Sequence, residues 1–387
     1  MISSNKIKII RVATVPIYMN IVLKGQLSFL NRFYNIIAIT GNDNLHFNTL
    51  KEREQVTVRA VEIERNIRPK EDVLALCRLI RMFRKEKPTV VHSHTPKAGL
   101  LSMMAAYFSR VPIRIHTVTG MPLMELSGPK YYLVLIFEKL TYKLATHIYP
   151  NSKGLNDYIL AKNMTTRNKS TVLLNGSTNG VDTTWFDPLL LPSKLELRLN
   201  YGIGVTAYVF LFVGRIAREK GIVEMITSFV DFQKTNRDSE LVLIGVFEKV
   251  NGLLNKEIIS VIESHPQIKL LGRFDDVRPF YKLADCFVLP SYREGFPNAV
   301  MEAGAMALPC IVTDINGCNE IIENGVNGWV IEPKSIGAIR EAFCFMIRSN
   351  VGLMSSEKIR ERIIRNYERK EVQLAIKKEY DRLISEL

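Results

Sequence analysis

Two glutamates, Glu294 and Glu302, bracket the run Gly295-Phe296-Pro297-Asn298-Ala299-Val300-Met301. The Gly-Phe-Pro turn predicts a helix opening at about Pro297, because proline suits the first helical position, where its missing N–H is not needed. The first N–H groups of such a helix, and the positive end of its dipole, face out of the turn toward an anion such as phosphate. One carboxylate then stands just before the anion site and the other just inside the helix. Carboxylates accept hydrogen bonds from hydroxyls. The run therefore suits a phosphorylated sugar, with diphosphate on the helix end and hydroxyls on the carboxylates. A carboxylate serving only the helix dipole contributes about 0.3–1 kcal/mol, and that role leaves the intervening Gly295, Phe296 and Pro297 unexplained.

A second constellation lies upstream. Gly214-Arg215 and Lys220 follow the apolar run Val209–Val213. Glycine lets a backbone approach a ligand closely. Arginine pairs bidentately with phosphate and lysine adds a point charge. A diphosphate leaving group needs such neutralisation as its bond to a sugar breaks. The same residues could form an ordinary basic surface loop; the carboxylate pair downstream favours the anion. His116 lies in the apolar run Ile113–Val118, and His94 ends the run Thr89–His94. At such places a histidine serves packing as readily as chemistry. No Asp-x-Asp occurs, so no metal site is expected. No Gly-x-Gly-x-x-Gly follows the first apolar run, which argues against a dinucleotide-binding dehydrogenase.

These residues need elements to position them. Short β-branched runs at Ile7–Val12, Asn35–Thr40, Val56–Ile63, Thr89–His94 and Ile113–Val118 alternate with helical patterns such as Ala98–Arg110. The alternation restarts after Asn179, with strands expected near Val209–Val213, Leu241–Gly245, Ile268–Leu271, Cys286–Pro290 and Cys310–Thr313. Strands alternating with helices predict parallel sheets covered on both faces. The 387 residues accommodate two such domains, with the join in the Gly, Asp and Pro cluster of residues 180–192. Ligands of open α/β sheets bind at the carboxyl ends of strands, and every candidate residue follows an expected strand. The natural site is a cleft between the two domains. A charged helix with an apolar stripe of Val372, Ala375, Ile376, Leu383 and Leu387 closes the chain.

Charge is unevenly placed. Residues 1–185 hold 26 Lys and Arg against 12 Asp and Glu, a net of +14, and the remainder holds 26 against 27. A basic half points to an anionic partner: a membrane surface, a nucleic acid or a polyphosphate. Its densest part is Arg65, Arg68, Lys70, Arg78, Arg81, Arg84, Lys85 and Lys87. Together with Val73, Leu74, Leu76, Leu79, Ile80 and Phe83 they predict an amphipathic helix. By itself that helix suits the solvated outer face of a sheet; the asymmetry of the whole half favours a membrane surface. Aromatic residues are not interleaved with the basic ones, and no nucleic acid is expected as a partner. Five cysteines without a C-x-x-C spacing suggest neither disulfides nor zinc, which fits a reducing, cytoplasmic compartment. The stretch Tyr131–Tyr149 carries Glu138, Lys139 and Lys143, too many charges to span a bilayer.

The glutamate run resembles the two-glutamate motif of the family 4 retaining glycosyltransferases. Phe212–Gly221 resembles that family's strand-loop-helix segment with its Arg and Lys, Leu283–Ser291 the strand before the glutamates, Asn179–Asp182 an interdomain signature, and Ile115–Gly120 an N-domain histidine loop. The resemblance implies a GT-B fold, two facing Rossmann-like doubly wound α/β domains with an interdomain cleft. The expected division is 1–185 for the acceptor, 186–369 for a nucleotide sugar, and 370–387 for a helix crossing back to the first domain. It implies Glu302 on the nucleotide ribose, Glu294 on the transferred sugar, and the Gly272–Asp276 loop with Arg273 at the base. That loop could equally be a plain strand-to-helix turn. His116 and Gly120 would face the donor sugar. The catalytic candidates are thus His116, Glu294, Arg215 and Lys220. Donor-binding candidates add Gly214, Arg273, Gly295, Phe296, Pro297, Asn298, Ala299 and Glu302.

The stretch His92–Gly99 resembles the bacterial branch that extends lipid-linked glycans for capsule, O-antigen or glycoprotein synthesis, with a UDP-linked N-acetylhexosamine or related sugar as donor. His94, Lys97 and Gly120 are its acceptor-side candidates. The expected partners are a nucleotide sugar, a lipid-linked sugar acceptor and an anionic membrane surface, at the inner face of the plasma membrane. No cofactor and no metal is expected. The loop Thr14–Asn20 lacks the paired glycines that many family members carry there. Other readings remain open: a nucleotide-sugar 2-epimerase or phosphorylase on the same architecture, and a non-catalytic protein that binds nucleotide sugar or nucleic acid.

Overall fold

The structure, a computed structural model, describes residues 6–64, 66, 68–124, 126–248, 253–348 and 354–387. Two units are present. The first holds the chain through Asn179 together with Arg369–Leu387, and the second holds Gly180–Glu368. The division therefore falls at Asn179/Gly180, six residues before the expected boundary. The reason is packing: Val181 and Phe186 belong to the second core, and the Val181 N–H donates to the Tyr367 carbonyl at 2.9 Å.

The first unit contains β1 (Lys8–Val12), β2 (Asn35–Thr40), β3 (Thr57–Ala60), β4 (Val90–His94), β5 (Ile113–Val118) and β6 (His147–Pro150). They form one parallel sheet in the order β3-β2-β1-β4-β5-β6. The second unit contains β7 (Tyr208–Val213), β8 (Ser239–Ile244), β9 (Ile268–Gly272), β10 (Cys286–Leu289), β11 (Cys310–Thr313) and β12 (Gly328–Ile331). They too are parallel, in the order β12-β11-β10-β7-β8-β9. Each sheet is doubly wound. The chain reverses direction at β1/β4 in one and at β7/β10 in the other, the places where such sheets bind ligands.

The central strands are buried on both faces, as Val209–Phe212 and Cys286–Leu289 illustrate. This explains why they read as continuous apolar runs rather than alternating ones. Edge strands β6 and β12 carry Pro, Gly and Trp and were not anticipated. The expected strand Val56–Ile63 shrinks to β3, whose residues are mostly exposed at a sheet edge.

Two helices depart from their expected faces. The basic helix runs Pro69–Glu86 and buries Ala75, Leu79 and Phe83. Arg78, Arg81, Arg84 and Lys85 are exposed, as are Val73 and Leu74, which were expected on the apolar stripe. Arg65 lies outside the described residues. The last helix, Arg369–Ser385, inserts Val372, Ile376, Tyr380 and Leu383 into the core of the first unit. Tyr380 replaces Leu387 in the stripe, and Leu387 is exposed. No helix among the described residues is long and apolar enough to cross a membrane.

Candidate functional site

The loops after β7 and β10 meet at the switch point of the second sheet. Gly221 ends the 3-10 turn Arg218–Lys220 in a left-handed conformation, φ +70°. A Cβ there would lie 2.0 Å from the Pro290 carbonyl oxygen just after β10, so only glycine permits the approach. The Tyr292 N–H donates to the Glu219 carbonyl at 2.9 Å and ties the two loops together. That closeness brings the Lys220 Nζ to 2.5 Å from Glu294 Oε1, with both side chains less than one-fifth exposed. Ser291 Oγ donates to the same carboxylate oxygen at 2.8 Å. Glu294 is thereby held in one orientation. Gly317 supports the motif from behind: a Cβ there would stand 2.5 Å from the Gly295 carbonyl oxygen and 2.8 Å from the Phe296 Cα.

The helix after this turn spans Asn298–Ala305, with Pro297 at its N-cap rather than its first position. Pro297 keeps ψ at 113°, an extended value, so the helix begins one residue later than expected. Phe296 is buried against the Tyr367 ring, centroids 5.5 Å apart. Asn298 and Ala299 occupy the first turn and are partly exposed. Glu302, one turn further on, has its Oε2 3.1 Å from the Tyr281 hydroxyl, which also lies 3.3 Å from the Ala299 carbonyl. Tyr281 is fully buried, so it anchors Glu302 from the core.

Arg215 stands beside Gly214 but is occupied: it pairs with Glu219 at 3.0 Å and with Glu248. Its side chain is half exposed, so these partners can exchange for a phosphate without unburying it. Arg273 sits exposed in the turn after β9. A cavity of about 740 Å³ in the same unit is lined by Asp314, Glu320, Glu323, Glu332 and Arg362, and does not include Lys220 or Glu294.

In the first unit the switch-point strands carry a buried cation. Arg11 of β1 is fully buried and donates from one guanidinium nitrogen to Gln26 Oε1 at 2.6 Å and to His94 Nε2 at 2.8 Å. Arginine has no acceptor, so His94 Nε2 carries the lone pair and the ring proton sits on Nδ1, 3.4 Å from the Tyr18 hydroxyl. His92 lies between the Tyr380 hydroxyl and Thr117 Oγ1, each 2.6 Å away, and stacks on His94 at 4.6 Å. Burial, with Arg11 alongside, holds both imidazoles far below their ordinary pKa, so they are neutral.

The His116 ring is buried rather than open to solvent. β5 continues two residues past it to Val118, and its ring lies inside, under the helix Pro96–Phe108. Ser93 Oγ is 2.9 Å from its Nδ1, and a Cβ on Gly99 would strike the ring at 2.4 Å. Burial drives its pKa down to about 4. What reaches the carboxyl end of β5 is Thr119 and Gly120, both partly exposed. Lys97, in the first turn of the Pro96–Phe108 helix, pairs with Asp72 at 2.6 Å.

Sequence reasoning passed over the residues that hold the candidates: Ser291, Tyr281, Glu219, Glu248, Gly317 and Thr119. Gly317 alone carried a local signal, a glycine just after the apolar run Cys310–Thr313. Ser291 and Tyr281 carried none, because their partners lie on other loops.

Comparison with known proteins bears on this arrangement. Residues 37–176 match the family described as "Glycosyl transferase 4-like domain", and residues 193–370 match "Glycosyl transferases group 1". The chain is similar to the capsular polysaccharide biosynthesis glycosyltransferase CapM of Staphylococcus aureus, with 33% identity over 344 residues, 89% of this chain and 87% of CapM. It is 29% identical over 306 residues to the UDP-Gal:alpha-D-GlcNAc-diphosphoundecaprenol alpha-1,3-galactosyltransferase of Escherichia coli, 78% of each chain. Its fold is similar to that of Anabaena HepE, solved with UDP and glucose, at TM-score 0.78 and 15% identity over 97% of this chain and 99% of HepE.

Proposed function

This chain belongs to the group 1 glycosyl transferases, the family 4 enzymes of GT-B fold, and we propose that it moves a sugar from a UDP-linked donor to a polyprenyl-diphosphate-linked sugar. The transferred unit is an N-acetylhexosamine or a related sugar, and its anomeric configuration is retained. The observation that carries this reading is the contact of Lys220 with Glu294 at the β7/β10 switch point. It sets a cation for a diphosphate beside a carboxylate for sugar hydroxyls. The names of CapM and of the galactosyltransferase support the acceptor class, and HepE supports a UDP-linked donor.

In this reading Lys220 and Arg215 neutralise the charge that grows on the departing diphosphate, with no metal ion in that role. The N–H groups of Gly295, Phe296, Asn298 and Ala299 bind phosphate oxygens around Pro297, which has no N–H to give, and Gly214 lets the backbone approach them. Glu302 accepts from the ribose hydroxyls, and Arg273 lies at the base. Glu294, occupied by Lys220 and Ser291, orients the sugar and is not a covalent nucleophile. The acceptor hydroxyl attacks on the face the diphosphate leaves. Its oxygen bonds to the anomeric carbon, the bond to phosphate oxygen breaks, and that oxygen takes the proton. Lys97, Thr119 and Gly120 line the acceptor side, and His94, buried against Arg11, supports it from within. His116 positions the loop to Gly120 from beneath.

The test is donor binding and slow donor hydrolysis across a panel of nucleotide sugars, with Glu302→Ala in parallel. Selective binding of one UDP-sugar, weakened at least tenfold in Glu302→Ala, is the expected result. An epimerised product, or no binding to any nucleotide sugar, overturns the reading. The basic first half further implies peripheral attachment to an anionic membrane at the cytoplasmic face. Co-sedimentation with anionic phospholipid vesicles is expected to fall as salt rises from about 0.05 to 0.5 M, because the Debye length shrinks toward a few ångströms. Attachment indifferent to salt contradicts it.

A further inference from the structure

An apolar groove of about 620 Å³ opens in the first unit, walled by Ile17, Ile21 and Val22 on one side and by Leu100, Val134 and Phe137 on the other. Its volume is that of a small-molecule site, about 300–1,000 Å³. Thr14, just after β1, and Thr95, just after β4, form one end, their hydroxyl oxygens 2.7 Å apart, with Lys97 beside them. The groove thus begins at the switch point of the first sheet and runs away from it along the helix Gly128–Leu144.

That helix explains the groove's character. Val134, Phe137, Glu138 and Thr141 are spaced three or four residues apart and share one face, which lines the groove. The neighbouring face carries Tyr132, Leu133 and Ile136, exposed by 65%, 43% and 60%. Across the groove, Ile21 is 59% exposed. The apolar surface is therefore continuous from the groove wall to its outer rim, and such a patch marks a partner. Lys130 and Lys139 on the same helix are exposed. Glu138 is the one carboxyl of this helix facing the groove, and burial raises it to about 7, as suits a wall that excludes water.

We infer that this groove seats the isoprenoid chain of the lipid-linked acceptor, with the diphosphate toward Thr14, Thr95 and Lys97 and the chain passing over the exposed rim into the membrane. The inference rests on the acceptor class proposed above. An occupant with a polar, charged head and a long apolar tail matches a site that is polar at one end, where Lys97 pairs with Asp72 beside the two threonines, and apolar along its length. The net +14 of residues 1–185 suits the same head group.

Two measurements test it. The first compares kcat/KM for sugar diphosphates bearing a long or a short isoprenoid chain, in the unaltered protein and in Ile21→Glu, whose side chain is exposed enough to leave folding intact. The long-to-short ratio is expected to fall about tenfold or more, since each buried methylene contributes about 0.8 kcal/mol and 1.4 kcal/mol is tenfold. An unchanged ratio overturns the inference. The second is photolabelling with an isoprenoid diphosphate carrying a diazirine on its chain. Labels in residues 16–22 or 130–141, displaced by unlabelled long-chain isoprenoid diphosphate, support the groove. Labels elsewhere, or none, reject it, as they would if the groove seated an apolar helix of another protein. If no lipid-linked sugar is accepted in turnover, the acceptor reading fails, and photolabelling still decides whether the groove takes the chain.

Discussion

Alanine in place of Lys220 is expected to lower kcat about 10²–10³-fold while the KM for the nucleotide sugar changes much less. Negative charge grows on the diphosphate as its bond to the sugar breaks, so a cation placed there acts more strongly in the transition state than in the ground state. Removing one preorganised group of this kind costs about 2.7–4 kcal/mol. Lys220 suits the role because its loop is clamped: Gly221 lies against the Pro290 carbonyl, and the Glu219 carbonyl accepts from the Tyr292 N–H. Its ammonium is less than one-fifth exposed, so little solvent screens it.

The substitution also leaves the Glu294 carboxylate held by the Ser291 hydroxyl without the ammonium beside it. The losses for Lys220→Ala and Glu294→Gln are therefore expected to be less than additive, because each misplaces the other. Single-turnover rates on the donor, with circular dichroism to confirm folding, are the measurement. A loss of kcat below tenfold removes Lys220 from the mechanism.

The first unit is expected to unfold in mild acid, ahead of the second. His92, His94 and His116 are buried and neutral, with pKa values depressed to about 4 for His116 and well below the ordinary 6.5 for the other two. The cause is burial, and Arg11 adds to it for His92 and His94. When a histidine pKa is depressed on folding, the unfolded chain binds more protons between the two values. Stability is then fully present above about pH 6.5 and is lost as the pH falls toward 4. Each such group removes up to about 1.4 kcal/mol per pH unit.

Glu138 acts in the opposite sense. Its raised value, about 7, makes the folded state bind the extra proton from about pH 7 down to the ordinary carboxylate range. It offsets part of the loss from the three histidines, and the net effect is destabilisation as the pH falls. Both tryptophans, Trp185 and Trp329, lie in the second unit. Far-UV circular dichroism is thus expected to drop between pH 6 and 4.5 while tryptophan fluorescence holds. Coincident transitions, or full circular dichroism at pH 4.5, refute the assignment.

How far the chain could be read without coordinates varied with how local each signal was. Val209–Val213 and Cys286–Pro290 announced buried parallel strands because both of their faces are covered. The edge strands β6 and β12 escaped notice because half-covered strands need no unbroken apolar run. The turn and helix that carry Glu294 and Glu302 were legible because they are written in adjacent residues. Arg11 was not: a lone arginine in an apolar run says nothing of His94 on β4 and Gln26 on the helix Gln26–Asn31, which the fold brings to it. The burial of His116 was not legible, because its side chain's direction depends on the register of β5 beside β4, where it pairs with Ser93.

The sequence alone determined the alternation of strand and helix, the two-unit architecture, and the residue types able to hold a diphosphate and sugar hydroxyls, since each is encoded within a few consecutive residues. Tertiary structure alone decided that Lys220 and Glu294, 74 positions apart, touch. It alone buried His116 and surrounded an apolar groove with helices from four stretches of chain. Contacts of that kind depend on strand order and on close backbone approaches such as that of Gly221 to Pro290, which no local pattern of side chains specifies.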